Sequence, residues 1–502
     1  MSNYDNKWLV MIYLSGDNDL SEECVWALTE IFRAGKSDDV AVVVQIDPRA
    51  ARIRRFDVNR ILENVRETES ADLRDLLSRG TKLKTDNMAS VETLKQFITD
   101  SKKSHKAQHN MLILSGHSGG PTGNGFLIDL FPQHGLTLTE VRNAIRAAGG
   151  VDIVGMDSCG MGMAEVGLQL RGCAKYLVAS EGFELNTGWP YFSILNQLRT
   201  DPELDPRTLA SKIVDIHSDY YASYEMAGVS TDMAACDLKR SAVLVKAVKR
   251  LAWELTRNLM FQQRFSHKKD SVRDTRIFVE DLPLEAREIA DAIVLAHWRA
   301  QSYRFERHTD LLDFCELLYD GCRDQGIQKA CSEVISTIRD NYVVRSCHSG
   351  GAFQHSNGVA IFFPWASIDE EYGELRFPRK TGWDLFLRAY LRTTRRRARE
   401  TDRSIKLMAQ TDNSTSFRDF PKLGTKDFPK LGTKDFPELG TKDFPELGTK
   451  DFPELGTKDF PELSTKDFPE LGTKDFPELG TKGKLLVPVM KNAPDIFFKD
   501  KC

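Results

Sequence analysis

The chain has 502 residues, of which 41% are apolar and 28% charged, with nine cysteines and a formal net charge of −4. This length exceeds one average domain, so two or three units are expected. No apolar run reaches the roughly 18–20 residues of a membrane helix, and the balanced charge gives no electrostatic reason for nucleic-acid binding.

The polar start, Met1 to Lys7, and the short apolar run Trp8 to Leu14 do not match a secretory leader, because no small-residue cleavage site follows. The cysteines are scattered and include no CxxC pair, which argues for a reducing compartment and a cytoplasmic location. Trp8–Leu14 reads as the first strand. Val40–Ile46, Met111–Ser115, Asp152–Met156 and Tyr176–Ala179 follow, most of them continuous apolar runs typical of strands buried on both faces. Helices lie between them. Ser21 to Ala34 puts Cys24, Leu28, Ile31 and Phe32 on one face and stops at Gly35. Ser90 is placed to cap a helix carrying Val91, Leu94, Phe97 and Ile98. Thr139 is placed to cap one ending at Gly149-Gly150. Strand–helix alternation over the first 235 residues predicts a doubly wound, mainly parallel sheet.

Residues 236–405 read as a helical second half, interrupted by a basic loop at 266–277 and closed by a last core strand, Gly358 to Phe363. A linker, 406–418, leads to eight gapless copies of Asp-Phe-Pro-(Lys/Glu)-Leu-Gly-Thr-Lys at 419–482, with Ser464 in one glycine slot, and a final segment covers 483–502. The eight units hold 10 Lys, 8 Asp and 6 Glu, so they carry the whole net charge of −4. Each unit has only Phe and Leu to bury, which predicts a flexible tail. The alternatives are a multivalent docking tract with Phe-Pro-x-Leu anchors, and a short β-solenoid.

Ligands of open parallel sheets bind beyond the carboxyl ends of the strands. Met111–Ser115 runs into Gly116-His117-Ser118-Gly119-Gly120, and Asp152–Met156 runs into Asp157-Ser158-Cys159-Gly160-Met161-Gly162. If those strands are neighbours, an imidazole and a thiol leave one sheet edge about 4.8 Å apart. The pair suits thiolate attack on a carbonyl, with the imidazolium protonating the leaving amine. The amides of Ser118 or Gly119, with that of Cys159, are candidate oxyanion donors. Gly160 and Gly162 read as the start of a helix whose positive end favours thiolate. The competing reading of Cys159 is a small buried hydrophobe. The second histidine motif, His348-Ser349-Gly350-Gly351 after Cys347, reads as a structural loop. No metal site is expected there, because Cys347, His348 and His355 lack a fourth ligand at suitable spacing. Cys24, Cys173, Cys236, Cys315, Cys322 and Cys331 read as core.

Several segments, in order, resemble the clostripain-like cysteine peptidases of the caspase–gingipain–separase group. They are Trp8 to Leu20 with its Asp17-Asn18-Asp19-Leu20 loop, Ser115 to Gly120, Met156 to Cys159, Ser180-Glu181, Gly188 to Tyr191, and Gly358 to Pro364. The resemblance spans roughly 7–395 and leaves the tail outside. It implies a caspase-like α/β fold and a Cys–His dyad endopeptidase, with Cys159 as nucleophile, His117 as general acid/base and no obligatory third member. It also implies protein or peptide substrates with Arg or Lys before the cut bond. Asp157 matches a family position implicated in the basic-residue pocket, and Glu181 is a second candidate, since a carboxylate at a pocket floor pairs with guanidinium. The alternatives are a helix-capping Asp157 and a loop-fixing Glu181. Family members are often zymogens cut between two subunits, and Lys268, Lys269, Arg273 and Arg276 offer such cut sites here. The tail's Lys-Asp junctions and Arg395 to Arg397 are further sites for self-cleavage. No cofactor is required by this chemistry. Some members respond to calcium, but Asp17 and Asp19 alone do not define a site. A role in bacterial defence or cell death is suggested by the fold group alone. The rival function is a catalytically silent scaffold whose tail recruits partners.

Overall fold

The computed structural model describes residues 4–49, 52–63, 73–122, 125–130, 133–267, 284–303 and 307–394, all within one compact unit. The proposed cut sites Lys268, Lys269, Arg273 and Arg276, the residues Arg395 to Arg397, the linker and the octad tail lie outside the described residues.

The strands in chain order are β1 (Asn6–Gly16), β2 (Val40–Pro48), β3 (Arg54–Asp57), β4 (Thr81–Lys82), β5 (Ala107–Ser115), β6 (Phe126–Leu130), β7 (Gln133–Leu136), β8 (Ile153–Asp157), β9 (Tyr176–Ala179), β10 (Thr231–Asp237), β11 (Ser302–Tyr303), β12 (His308–Asp310), β13 (Val343–Ser349) and β14 (Ala360–Phe362). Nine of them form one sheet in the order β13-β10-β9-β8-β5-β1-β2-β3-β4. The central run from β2 to β9 is parallel, and the pairings outside it are antiparallel.

Period-two alternation explains why the sheet carries helices on both faces. In β1, Trp8, Val10, Ile12 and Leu14 enter one core, while Leu9, Met11 and Tyr13 enter the other. The first core is completed by α1 (Ser21–Arg33), α2 (Val58–Glu63), α3 (Leu73–Arg79), α7 (Tyr191–Thr200) and α8 (Pro206–Ala222). The second is completed by α4 (Val91–Ser104), α5 (Leu138–Ala147), α6 (Ala164–Leu170), α9 (Ser241–His267) and the helices that follow it. Each fully buried aliphatic side chain contributes about 1.5–3 kcal/mol, so this central strand anchors both layers.

Local signals hold with small shifts. Ser90 caps α4 by accepting from the Thr93 amide. The cap of α5 is Thr137 rather than Thr139, because Glu140 stands three residues after Thr137 and closes a capping box. The second half is less purely helical than its sequence suggests. It contains β11, β12, β13 and β14, and the expected division at residue 235 falls inside β10. The apolar run Gly358 to Phe363 contains β14, which is not part of the large sheet. β14 belongs to a separate three-stranded sheet, β11-β12-β14, and the large sheet ends on β13 instead. The His348-Ser349 segment, expected as a loop, is the end of that strand, with His348 opposite Asp232. As a half-exposed edge strand, β13 has no continuous apolar run to announce it.

Candidate active site

β5 and β8 are adjacent and parallel, with Ser115 opposite Asp157. Pairing continues past the strand ends. The Gly116 amide donates to the Asp157 carbonyl at 3.3 Å, and Ser158 Oγ donates to the Gly116 carbonyl at 2.6 Å. His117 and Cys159 each follow the Ser115–Asp157 pair by two residues, so they leave the same sheet edge on neighbouring chains.

Each is held by further groups. β1 lies on the other side of β5, and its end supplies Asp19, whose Oδ1 is 2.5 Å from His117 Nε2. The Asp19 loop is pinned by buried Asn18, which donates to the Ser15 and Ile128 carbonyls and accepts from the Leu20 amide. The sequence had offered Asp19 only as a calcium ligand. The missed signal was strand adjacency, which makes the β1 end a neighbour of the histidine loop. Cys159 is 1% exposed. Its Sγ accepts from the Glu184 amide at 3.3 Å and lies 3.8 Å from the Glu184 carbonyl oxygen. An N–H aimed at sulfur favours thiolate.

The candidate oxyanion donors divide. The Gly119 amide is bonded to the Gly125 carbonyl, and the His117 carbonyl accepts from Leu127 at 3.0 Å, which makes an isolated antiparallel bridge between Ser118 and Phe126. In that pattern the Ser118 N–H points away from β6. The structure therefore removes Gly119 from the donor set and leaves the Ser118 and Cys159 amides as candidates.

The glycines after Cys159 do not start a helix. α6 begins at Ala164, and the Gly160 and Gly162 amides bond to the Gly182 and Ser180 carbonyls at 2.8 and 2.6 Å. A Cβ on Gly162 would sit 2.8 Å from the Ser180 carbonyl, so glycine serves close chain approach there. The Glu184 peptide, rather than a helix end, faces the thiol.

Asp157 is buried and does not cap a helix. Its Oδ2 accepts from Ser115 Oγ and Tyr191 OH, each at 2.8 Å. Burial, and then the Asp157 charge, push the Tyr191 hydroxyl well above its ordinary pKa, so it remains a donor. Glu181 is also buried, and its Oε2 accepts from the Gly358 amide at 2.7 Å. Burial, and then the charges of Asp310 and Asp232, raise its pKa well above the usual carboxylate range, and it is hydrogen-bonded to Asp310. Asp232 accepts from the Glu181 and Gly182 amides at 2.6 and 2.9 Å, and burial lifts it to about 7. Glu181 thus ties its loop to β12 and to the segment that leads into β14. Glu184 Oε2 lies 3.3 Å from Nε2 of buried His217. Sequence reasoning missed Glu184, Asp232 and Asp310, which come from distant segments. Among the described residues no cluster of three or more His, Cys, Asp or Glu could hold a metal ion. Cys24, Cys173, Cys236, Cys315, Cys322 and Cys331 are buried free thiols.

A mostly parallel sheet between helical layers, with cysteine and histidine on adjoining strand ends, defines the caspase-like cysteine peptidase class. The clostripain family model matches residues 12–390, and the chain belongs to that family of cysteine endopeptidases. Solved structures agree on the fold. An inactive zymogen C11 protease from Parabacteroides distasonis is 16% identical, with a TM-score of 0.51 over 76% of this chain and 99% of its own. A secreted C11 cysteine protease from Bacteroides thetaiotaomicron, in complex with an irreversible peptide inhibitor, is 15% identical, with a TM-score of 0.52 over 76% of this chain and 100% of its own. A further structure of a secreted C11 protease from that organism, "iotapain", is 15% identical with a TM-score of 0.53, over 75% of this chain and 99% of its own. No curated protein matches the chain in sequence.

Proposed function

We propose that this chain cleaves proteins after arginine, with lysine as the second choice, using Cys159 as nucleophile and His117 as general acid/base. The observation that carries this reading is the β5–β8 register, which sends both residues off one edge. The thiol proton passes to the imidazole, and sulfur attacks the peptide carbonyl. The Ser118 and Cys159 amides stabilise the oxyanion, and the imidazolium returns the proton to the leaving amine. Water then hydrolyses the thioester. Asp157 is the acid we assign to the basic side chain of the substrate, since Glu181 is committed to Gly358 and Asp310. Asp19 is engaged with His117, which supports a mechanism without a calcium ion on that loop.

We further propose activation by cleavage near Lys268, Lys269, Arg273 or Arg276, a reading supported by the zymogen described for the Parabacteroides relative. A cytoplasmic location is supported by eight described cysteines that are all free thiols. Defence or cell death is the setting we assign.

The test is a fluorogenic peptide panel with Arg, Lys, citrulline or Ala before the cut bond, run on the wild type and Cys159→Ala with and without calcium. Turnover of the Arg peptide by the wild type alone is expected. Absence of turnover, together with no labelling of Cys159 by a peptide electrophile, would overturn the reading in favour of a scaffold that recruits partners through its tail.

A further inference from the structure

The sheet edge opposite the histidine and cysteine carries a second concave feature. A cleft of about 980 Å³ opens between the ends of α4 and α5 and the amino ends of β8 and β9. Its cations are Lys102, Arg146, Arg171, Lys175 and Lys239, and its one lining carboxylate is Asp152. Two of these lysines already serve the fold. Lys102 Nζ donates to the Ala148 and Gly150 carbonyls at the end of α5, and Lys175 Nζ lies 2.5 Å from Asp152 Oδ1. Arg146, Arg171 and Lys239 form no ion pair with any described residue, and all three are exposed.

Two more guanidinium groups act on the same region: the charges of Arg142 and Arg376, like that of Arg146, are felt at the buried thiol of Cys173. Arg376 donates to the Leu168 and Gln169 carbonyls, and Nε of Arg142 is buried with no hydrogen-bond partner. Burial, and then the charges of Arg142 and Arg171, hold Arg376 below its ordinary pKa. Several like charges gathered at one mouth repel each other. Among the described residues that line the cleft the one carboxylate is Asp152, which Lys175 neutralises, while Asp237 beside it accepts from the Lys239 amide.

We propose that this cleft is a binding site for a small polyphosphate anion, held by Arg146, Arg171 and Lys239. Arginine forks match phosphate oxygens bidentately, and a compact ligand with several charges neutralises the cluster within one cleft. A polypeptide of acidic residues spreads its charges along an extended chain and satisfies the cluster less well. The site lies at the far end of the strands that carry His117 and Cys159, so it is separate from the peptidase mouth and does not rest on its assignment.

The test uses the full chain carrying Cys159→Ala, titrated calorimetrically with inorganic tripolyphosphate at low and physiological salt. A second arm uses an acidic peptide of equal charge. Saturable binding of tripolyphosphate that weakens with salt is expected, together with a raised melting temperature. Arg146→Gln with Arg171→Gln should weaken it at least about tenfold, whereas the exposed control Arg207→Gln should not. Circular dichroism of each variant without ligand checks folding, and Lys239→Gln alone replaces the double variant if that one is unfolded. Absence of binding, equal binding by the cleft variants, or binding of the peptide but not of tripolyphosphate would overturn the proposal.

Discussion

Asp19 at the end of β1 and His117 at the end of β5 meet through a 2.5 Å contact between Oδ1 and Nε2. A carboxylate only accepts hydrogen bonds, so Nε2 carries the proton and Nδ1 is the basic atom of the ring. The geometry makes Asp19 a positioning residue for the imidazole, where the resemblance to the family implied a dyad with no obligatory third member. Asp19 is 60% exposed, so the carboxylate is solvated and its effect is smaller than that of a buried partner. Asp19→Ala is expected to lower kcat by about 10–100-fold with little change in KM. An unchanged kcat, or kcat and KM altered together, would remove Asp19 from that role.

Asp157 and Gly188 offer a test of specificity. Asp157→Asn can keep both bonds at one oxygen, from Ser115 and Tyr191, while losing the charge. The ratio of kcat/KM for Arg over citrulline peptides is expected to fall by about tenfold or more. Gly188 has φ of +67°, and a Cβ there would lie 2.7 Å from Asp157 Oδ2. Gly188→Ala should therefore lower the same ratio by moving the carboxylate. Equal ratios in wild type and Asp157→Asn would remove Asp157 from the pocket.

The thiol environment predicts selective chemistry. Cys159 is buried against the Glu184 peptide, whereas Cys347, on the edge strand, is half-buried. A small neutral alkylating agent should reach Cys347 without guidance. A peptide electrophile with arginine should label Cys159 first, and His117→Ala should slow that labelling by about 100-fold. Mass spectrometry of the two tryptic peptides reads both outcomes.

Glu165 provides a prediction about stability. It is buried on α6, and its Oε1 accepts from the Phe362 amide at 3.1 Å and from Tyr372 OH at 2.8 Å. Burial raises its pKa to about 7 from 4.5. Between those values the folded state holds a proton that the unfolded chain releases, so stability falls as pH rises through the window, and the full cost is present above 7. Glu165→Gln keeps both bonds without the charge. In urea unfolding on a Cys159→Ala background, the variant should match wild type near pH 4.5 and exceed it by about 2–3 kcal/mol at pH 8. A constant difference across that range would refute the assignment.

The Thr137–Glu140 capping box should act on stability alone. Thr137→Ala is expected to cost about 1 kcal/mol and leave kcat/KM unchanged, since the cap bonds run only between Thr137 and Glu140 and involve no residue of the site. Chemical denaturation and a peptide assay on the same preparation separate the two effects.

How legible each part was depended on where its signal lies. β1, β2, β5, β8 and β9 are buried on both faces, so their residues form continuous apolar runs that sequence alone exposes. β10 and β13 escaped notice for opposite reasons: β10 is buried but built of small residues between aspartates, and β13 is a half-exposed edge. His117 and Cys159 were legible because each directly follows a recognisable strand. The surroundings of the thiol were not. Glu184, Asp232, Asp310 and Gly358 come from segments far apart in the chain, and nothing local marks their convergence.

By itself, the amino-acid order determined the parallel strand–helix alternation, the two reactive side chains at strand ends and the family. Those properties are local: burial period, capping chemistry and short motifs act over a few residues. Only the tertiary structure decided that Asp19 orients the histidine, that the Glu184 peptide rather than a helix end faces the sulfur, and that Gly119 is spent on Gly125. Each of those depends on which chain segments lie side by side, and hydrogen bonds between segments distant in sequence leave no periodic trace in either one.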